Sequence, residues 1–169
     1  MIDAIRPFLL ACTFAVLTIA SSVGFGMAFG AFEDDMKGSL KSSADAVLAS
    51  RYDNDADKAR AVLDKSWVYF KRAHLHTGAL GTQAMALTLL LVALTTVPLR
   101  LRQTAAVCAS VGGLGYGWFW FFAGRAAPGL GGTGAAKESL AWLAQTSAAL
   151  IAIGVLGTLV SLALAARRR

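Results

Sequence analysis

The stretch PFLLACTFAVLTIASSVGFGMAFGAF, residues 7–32, contains no charged side chain. A helix of this length spans a hydrocarbon core of about 30 Å with some tilt. Pro7 suits the first turn of such a helix, because the N–H that proline lacks would have no partner there. A basic start before an apolar run is also typical of a signal peptide, but this run is longer than the usual apolar region. We therefore expect a retained membrane span over residues 7–32.

Three more apolar segments follow, and they predict spans at about 74–98, 103–123 and 140–166. Across the 169 residues, 56% are hydrophobic and 15% charged. This is too apolar for a small soluble domain, whose large relative surface needs charge. A basic link, 99–102, separates the second span from the third, and a glycine-rich loop, 124–134, precedes the fourth. The expected fold class is all-α, an integral membrane four-helix bundle.

Residues 33–73 differ sharply from the spans. Acidic and basic side chains are balanced there, and apolar residues recur with the i, i+3, i+4 spacing of an amphipathic helix. Tyr52 to Asp55 (YDND) interrupts this pattern and is typical of a turn or a helix start, with Asn or Asp as the cap. The segment predicts an amphipathic helical hairpin on or above the membrane surface, whose second helix can continue into the second span.

Basic residues near the ends of the spans predict the orientation. Arg100, Arg102 and the tail Arg167–Arg169 lie on one side of a four-span chain, and the positive-inside rule places that side in the cytoplasm. Both termini are then cytoplasmic, the hairpin is extracytoplasmic, and the protein lies in the cell (inner) membrane. The net charge of +6 comes without a long basic run, so nucleic-acid binding is not expected.

Small residues recur at a spacing of four in two spans. Ser22, Gly26 and Gly30 form one such series, and Gly113 and Gly117 form another. Such spacing lets helix backbones approach closely in lipid. We expect these residues to pack the bundle internally, with a partner interface as the alternative.

Two amides lie well inside the spans. Gln83 and Gln145 are at similar depth when each is counted from the outer end of its helix. This predicts an interhelical hydrogen bond between them, which would contribute about 0.6 kcal/mol.

The two histidines, His74 and His76, lie where the hairpin meets the second span. Glu33, Asp34 and Asp35 end the first span and are expected at the same depth. Imidazoles with carboxylates predict either a site for a hard or borderline cation or a proton-handling site. Residues two apart on a helix point about 200° apart, so the two imidazoles cannot bind one metal ion on a regular helix.

A single histidine facing the bundle is also able to ligate haem. His74 shares a helix face with Gly78, which leaves room for a flat group. The second axial ligand would come from Met27, Met85 or another chain, or would be absent. The plain alternative is that both imidazoles simply bridge the apolar and aqueous zones at the membrane boundary.

Residues 73–81 (AHLHTGALG) match an A-H-x-H-x-x-x-L-G string. The string resembles one in small bacterial membrane proteins related to the haem-bearing subunit I of cytochrome oxidases and nitric oxide reductases. The resemblance implies a haem-ligating histidine at His74 or His76. It covers these nine residues alone, and the third and fourth spans contain no histidine. A haem ligated by two histidines within one chain is therefore excluded, and a copper site of the oxidase type lacks its ligands.

Catalytic signatures such as G-x-S-x-G, H-E-x-x-H and paired intramembrane carboxylates are absent from the sequence, so an enzyme is the less favoured class. We expect a small accessory or structural subunit of a larger membrane complex. Its partners would be the lipid bilayer and either other membrane subunits or a second copy. The alternative is a haem- or metal-binding redox protein that uses His74 and His76.

Overall fold

The computed structural model describes residues 2–167, and it is all-helical over that range. Its elements are α1 (Ile2–Ile5), a 3-10 turn (Arg6–Phe8), α2 (Leu9–Asp45), α3 (Leu48–Tyr52), α4 (Ala56–Ala93), α5 (Leu99–Ala126), α6 (Thr133–Ser139) and α7 (Ala141–Ala166). The α2 segment, α4, α5 and α7 are each long and apolar enough to cross a membrane. The prediction of an all-helical chain with four such helices is confirmed.

Helix α2 has one internal break, at Phe32. The backbone of Phe32 (φ −132°, ψ 24°) departs from helical values, while the chain on both sides of it is helical. The break coincides with the last residue of the apolar run 7–32. Charged residues begin immediately afterwards, and Lys37 pairs with Glu33. Helix α2 therefore continues past the predicted span as a charged extension that ends at Asp45.

Helix α4 begins at a well-defined cap. Asp53 and Asn54 have left-handed backbone φ values of 56° and 59° and reverse the chain. The carboxylate of Asp55 then accepts hydrogen bonds from the N–H groups of Asp57 and Lys58, both at 3.0 Å, as an N-cap does. The backbone hydrogen bond from Lys58 is the main reason that the pKa of Asp55 is lowered. The prediction of a turn with an Asp or Asn cap is confirmed.

The long helices pack unequally. Helices α2, α4 and α5 contact one another, whereas α7 packs almost entirely against α5. A Cβ added to Gly154 would lie 2.6 Å from the backbone nitrogen of Ala109, and one added to Gly112 would lie 2.7 Å from the carbonyl oxygen of Ser147. Because these positions lack side chains, the two backbones meet closely. The result is a three-helix core with the fourth long helix attached on one side.

The connection between α5 and α7 is more helical than the sequence indicated. Helix α5 is longer at both ends than the predicted span 103–123, and α6 forms inside the connection. The apolar run identifies the part of a helix suited to lipid, whereas the backbone hydrogen bonds continue into polar flanks.

Candidate functional site

His74 is half-buried on the side of α4 that meets α2, where Ser22 holds its imidazole. Nδ1 lies 2.8 Å from the backbone oxygen of Ser22. Because a carbonyl oxygen can only accept, Nδ1 carries the proton, and in the neutral ring Nε2 keeps the lone pair. In return, the hydroxyl of Ser22 donates to the carbonyl oxygen of His74 at 2.9 Å. We call this reciprocal pair of hydrogen bonds between α2 and α4 the Ser22–His74 clasp.

Two glycines make room for the clasp. A Cβ added to Gly26 would lie 3.1 Å from Cε1 of His74, and one added to Gly78 would lie 2.9 Å from the hydroxyl oxygen of Ser22. The ring of Phe29 packs edge-on to the imidazole, with 6.1 Å between ring centroids. The imidazole therefore fills a close contact between two helices.

His76 faces α5 instead of α2. Its Nδ1 donates to the carbonyl oxygen of Arg72 at 2.8 Å, and its ring centroid lies 5.5 Å from that of Tyr116 and 5.9 Å from that of Trp120. The guanidinium of Arg72 lies 4.9 Å from the Trp120 ring. The rings of His74 and His76 thus contact different helices, as residues two apart must. They do not converge on one point.

The acidic triplet Glu33, Asp34 and Asp35 is exposed. Glu33 forms an ion pair with Lys37 on its own helix. Within residues 2–167, no group of three or more His, Cys, Asp or Glu side chains is placed to hold a metal ion. The structure does not bring the triplet and the two histidines into one site.

The structure places both methionines that were considered as a second axial ligand away from His74. Met85 lies three turns along α4 from His74, about 16 Å away along the axis, and packs near Ala15 and Ala109. Met27 has a side chain that is 70% exposed. It follows directly after Gly26, so it points about 100° away from the face that meets His74. Neither methionine lies opposite the imidazole.

The predicted packing residues separate into two groups. A Cβ added to Gly113 would lie 3.2 Å from the Cβ of Leu80. Gly117 lies directly against the side chain of Thr77. Both are contacts between α5 and α4, in addition to the α2 contacts at the clasp. A Cβ added to Gly30, in contrast, would have nothing within 4 Å. Gly30 therefore shares the sequence spacing without taking part in a close contact.

The two glutamines are exposed on α4 and α7. No hydrogen bond joins Gln83 to Gln145, or either amide to another group, in the described part of the chain. Gln83 lines a narrow groove between α4 and α7 together with Ile151 and Val155. The structure therefore leaves a polar amide in an otherwise apolar groove.

Sequence reasoning missed the role of Arg102. This side chain is only 8% exposed. It donates to the carbonyl oxygens of Val97, Leu91 and Val92, at 3.0, 2.9 and 3.3 Å. The sequence did contain a signal for this role. Arg102 lies in the first turn of a helix that follows a tight connection, and from there its side chain can reach the carbonyls at the end of the preceding helix.

Comparison with protein-family models, curated proteins and solved structures finds no match for this chain.

Proposed function

We propose that this chain is a four-span integral membrane protein and serves as a small accessory or structural subunit of a larger membrane complex. The observation that carries the proposal is the exposed amide of Gln83 in the groove between α4 and α7. A polar group facing hydrocarbon without a partner is costly. A helix from a partner subunit that supplies a hydrogen bond there would remove this cost.

The packing of α7 supports the same proposal. Because α7 contacts essentially one neighbour, most of its surface is open and apolar, including Leu156 and Leu159, which are 61% and 56% exposed. Lipid can cover an apolar helix face as well as protein can. The groove beside Gln83 differs from these apolar faces, because lipid tails can cover it but cannot form a hydrogen bond with the amide.

The test is co-purification of the full chain in a mild detergent, followed by native mass spectrometry. We expect a stoichiometric partner chain or a second copy with the wild type, and its loss in Gln83→Leu. Thr82→Val is the matched control, because Thr82 is exposed on the same helix but its hydroxyl already donates to Gly78. A wild-type protein that runs as a lone monomer without co-purifying chains would overturn the proposal.

We also propose the orientation predicted from the arginines. The spans cross the cell (inner) membrane, both termini lie in the cytoplasm, and residues 33–73 lie on the extracytoplasmic side. Single cysteines at Ser50 and Arg100, in a chain without Cys12 and Cys108, test it with a membrane-impermeant thiol reagent. Ser50→Cys should react in intact cells, and Arg100→Cys only after permeabilisation. Labelling of both positions from the same side would refute this orientation.

The second candidate is a haem- or metal-binding redox protein that uses His74 as its one protein ligand, with His76 in support. It is favoured by one observation: the hydrogen bond to Ser22 fixes the tautomer that leaves Nε2 of His74 free to ligate. An absorption spectrum of the purified protein distinguishes the two candidates. A Soret band lost in His74→Ala would establish haem, and a colourless, metal-free preparation would eliminate this candidate.

A further inference from the structure

A groove lies between the charged extension of α2, beyond Phe32, and the first half of α4. It has a volume of about 450 Å³, and its lining includes Lys37, Lys41, Asp64, Trp67, Val68 and Lys71. We call it the lysine groove. Neither histidine lines it, and it is separate from the Ser22–His74 clasp.

The lysine groove lies at the level where the apolar spans begin. Lys71 precedes the predicted second span by three residues, and the Trp67 ring lies one turn further out. The Nζ atom of Lys37 lies 5.0 Å from the centroid of that ring. Tryptophan and lysine side chains together are typical of the headgroup region of a bilayer.

The groove is continuous with an apolar surface on α4. Asp64, Val68, Lys71 and Leu75 follow the i, i+4, i+7, i+11 spacing of one helix face. Val68 is 39% exposed, and Leu75, one turn nearer the membrane centre, is 63% exposed. A ligand with its head in the groove can therefore lay a hydrocarbon chain along Val68 and Leu75.

The charges in the groove favour an anionic head. Three lysines and one carboxylate line it. Lys37 and Lys41 pair with Glu33 and Asp45 on their own helix, and all four side chains are exposed. Exposed ion pairs of this kind contribute little to stability, so a phosphate can replace Glu33 as the partner of Lys37 or Asp45 as the partner of Lys41.

Lys71 has no ion pair within residues 2–167. It is also the groove lysine nearest the predicted second span. A phosphate between Lys71 and Lys37 would therefore give the Lys71 ammonium its counter-charge and lie beside the Trp67 ring.

We propose that the lysine groove binds one anionic phospholipid, with its phosphate between Lys37 and Lys71 and one acyl chain along Val68 and Leu75. The proposal rests on the membrane placement given above, but not on a partner subunit. Lysines near an anionic headgroup attract it, while the apolar face below selects an amphiphile over a small anion. The bound lipid would join the α2 extension to α4 at the membrane surface.

The test is native mass spectrometry of the full chain, titrated in detergent with phosphatidylglycerol or phosphatidylcholine. We expect one tightly held phosphatidylglycerol and weaker phosphatidylcholine binding. Lys37→Gln/Lys71→Gln should weaken phosphatidylglycerol binding by roughly 30-fold, since each lysine contributes about fivefold. Lys65→Gln, which removes one positive charge from α4 outside the groove, should leave it unchanged. Circular dichroism of all variants establishes that their helix content is equal.

Three outcomes would overturn the proposal. The first is equal binding of phosphatidylglycerol and phosphatidylcholine, which would show that charge does not select the ligand. The second is displacement of the lipid by millimolar inorganic phosphate, which would make the groove a small-anion site. The third is equal loss of lipid in the double variant and in Lys65→Gln. Because the readout is lipid retention, failure here is distinct from failure to find a partner chain.

Discussion

The phenolic hydroxyl of Tyr52 donates to the carbonyl oxygen of Pro128 across 2.8 Å, joining residues 76 positions apart in the sequence. Tyr52 ends α3 and is only 2% exposed, and Pro128 lies just beyond the end of α5. Ala44 and Ala59 pack in the same small cluster as Tyr52. This one hydrogen bond therefore attaches the connection between α2 and α4 to the connection between α5 and α7.

Tyr52→Phe should remove that attachment and keep the ring. We expect a loss of about 1 kcal/mol in the free energy of unfolding, because the buried carbonyl of Pro128 keeps only the long hydrogen bond from the N–H of Gly131, at 3.4 Å. Thermal unfolding in detergent, followed by circular dichroism, measures the change. An unchanged midpoint would show that water replaces the hydroxyl without loss.

The same residue predicts an alkaline limit to stability. Burial raises the pKa of Tyr52 above its ordinary value of 10.0. A raised pKa in the folded state means that the neutral phenol stabilises the fold fully below pH 10, and that this contribution disappears as the pH rises through the folded-state pKa. Midpoints measured from pH 8 to 12 should fall more steeply for the wild type than for Tyr52→Phe. Parallel curves would contradict the prediction.

The Ser22–His74 clasp gives a third prediction. Ser22→Ala removes the hydroxyl that crosses to α4, whereas Ser43→Ala removes one that donates only within α2. Interhelical hydrogen bonds inside membrane proteins contribute about 0.6 kcal/mol on average and up to about 1.7 kcal/mol. We expect Ser22→Ala to cost an amount in this range and Ser43→Ala to cost less. Unfolding by a denaturing detergent measures both, and equal costs would mean that the clasp adds nothing.

The clasp also shows what the sequence can and cannot predict. The helical period alone required His74 and His76 to face different neighbours, and they do so. It could not name Ser22 as the partner, because that depends on how two helices cross. Gly26 and Gly30 share one spacing, yet only Gly26 meets α4. The spacing of small residues identifies the side of a helix that can pack closely. It does not show at which residue along that side the two helices separate.

The packing of α7 almost entirely against α5 was also not predicted from the sequence. Beyond Gln145 and Thr146, its segment is apolar on nearly every side, so hydropathy identifies a span without indicating which face is packed. The small residues Gly154, Thr158 and Ser161 carry the signal that was overlooked, since all three are buried. Their spacing of four and three marks the stripe that faces α5.

Gly154→Leu should therefore detach α7 from α5. A side chain at this position would overlap the backbone of Ala109, and overpacking of this kind costs about 1–3 kcal/mol. Gly24→Leu is the matched control, because a Cβ at Gly24 has nothing within 4 Å. Thermal unfolding in detergent should show a lower midpoint for Gly154→Leu alone. A loss of similar size in Gly24→Leu would show that leucine is harmful for reasons other than the contact.

Arg102 provides the last prediction, because it joins the end of α4 to the start of α5. Its guanidinium donates to three backbone carbonyls, at Leu91, Val92 and Val97, and its positive charge lies where the α4 dipole is negative. Arg102→Met keeps an apolar stem but removes every donor. We expect a cost of about 3 kcal/mol, since hydrogen bonds from a charged group contribute more than neutral ones and the carbonyls are left unpaired.

Two further variants make this prediction specific. Arg102→Lys keeps the charge, but a single ammonium cannot reproduce the planar fork that reaches separate carbonyls. It should therefore recover only part of the stability lost in Arg102→Met. Arg100→Met removes an exposed arginine from the same turn of α5 and should have little effect on the unfolding midpoint. Hydrogen exchange should accelerate at the amides of residues 94–97 in Arg102→Met but not in Arg100→Met. If both arginine-to-methionine variants behave alike, the connection is held by its apolar packing and not by the guanidinium.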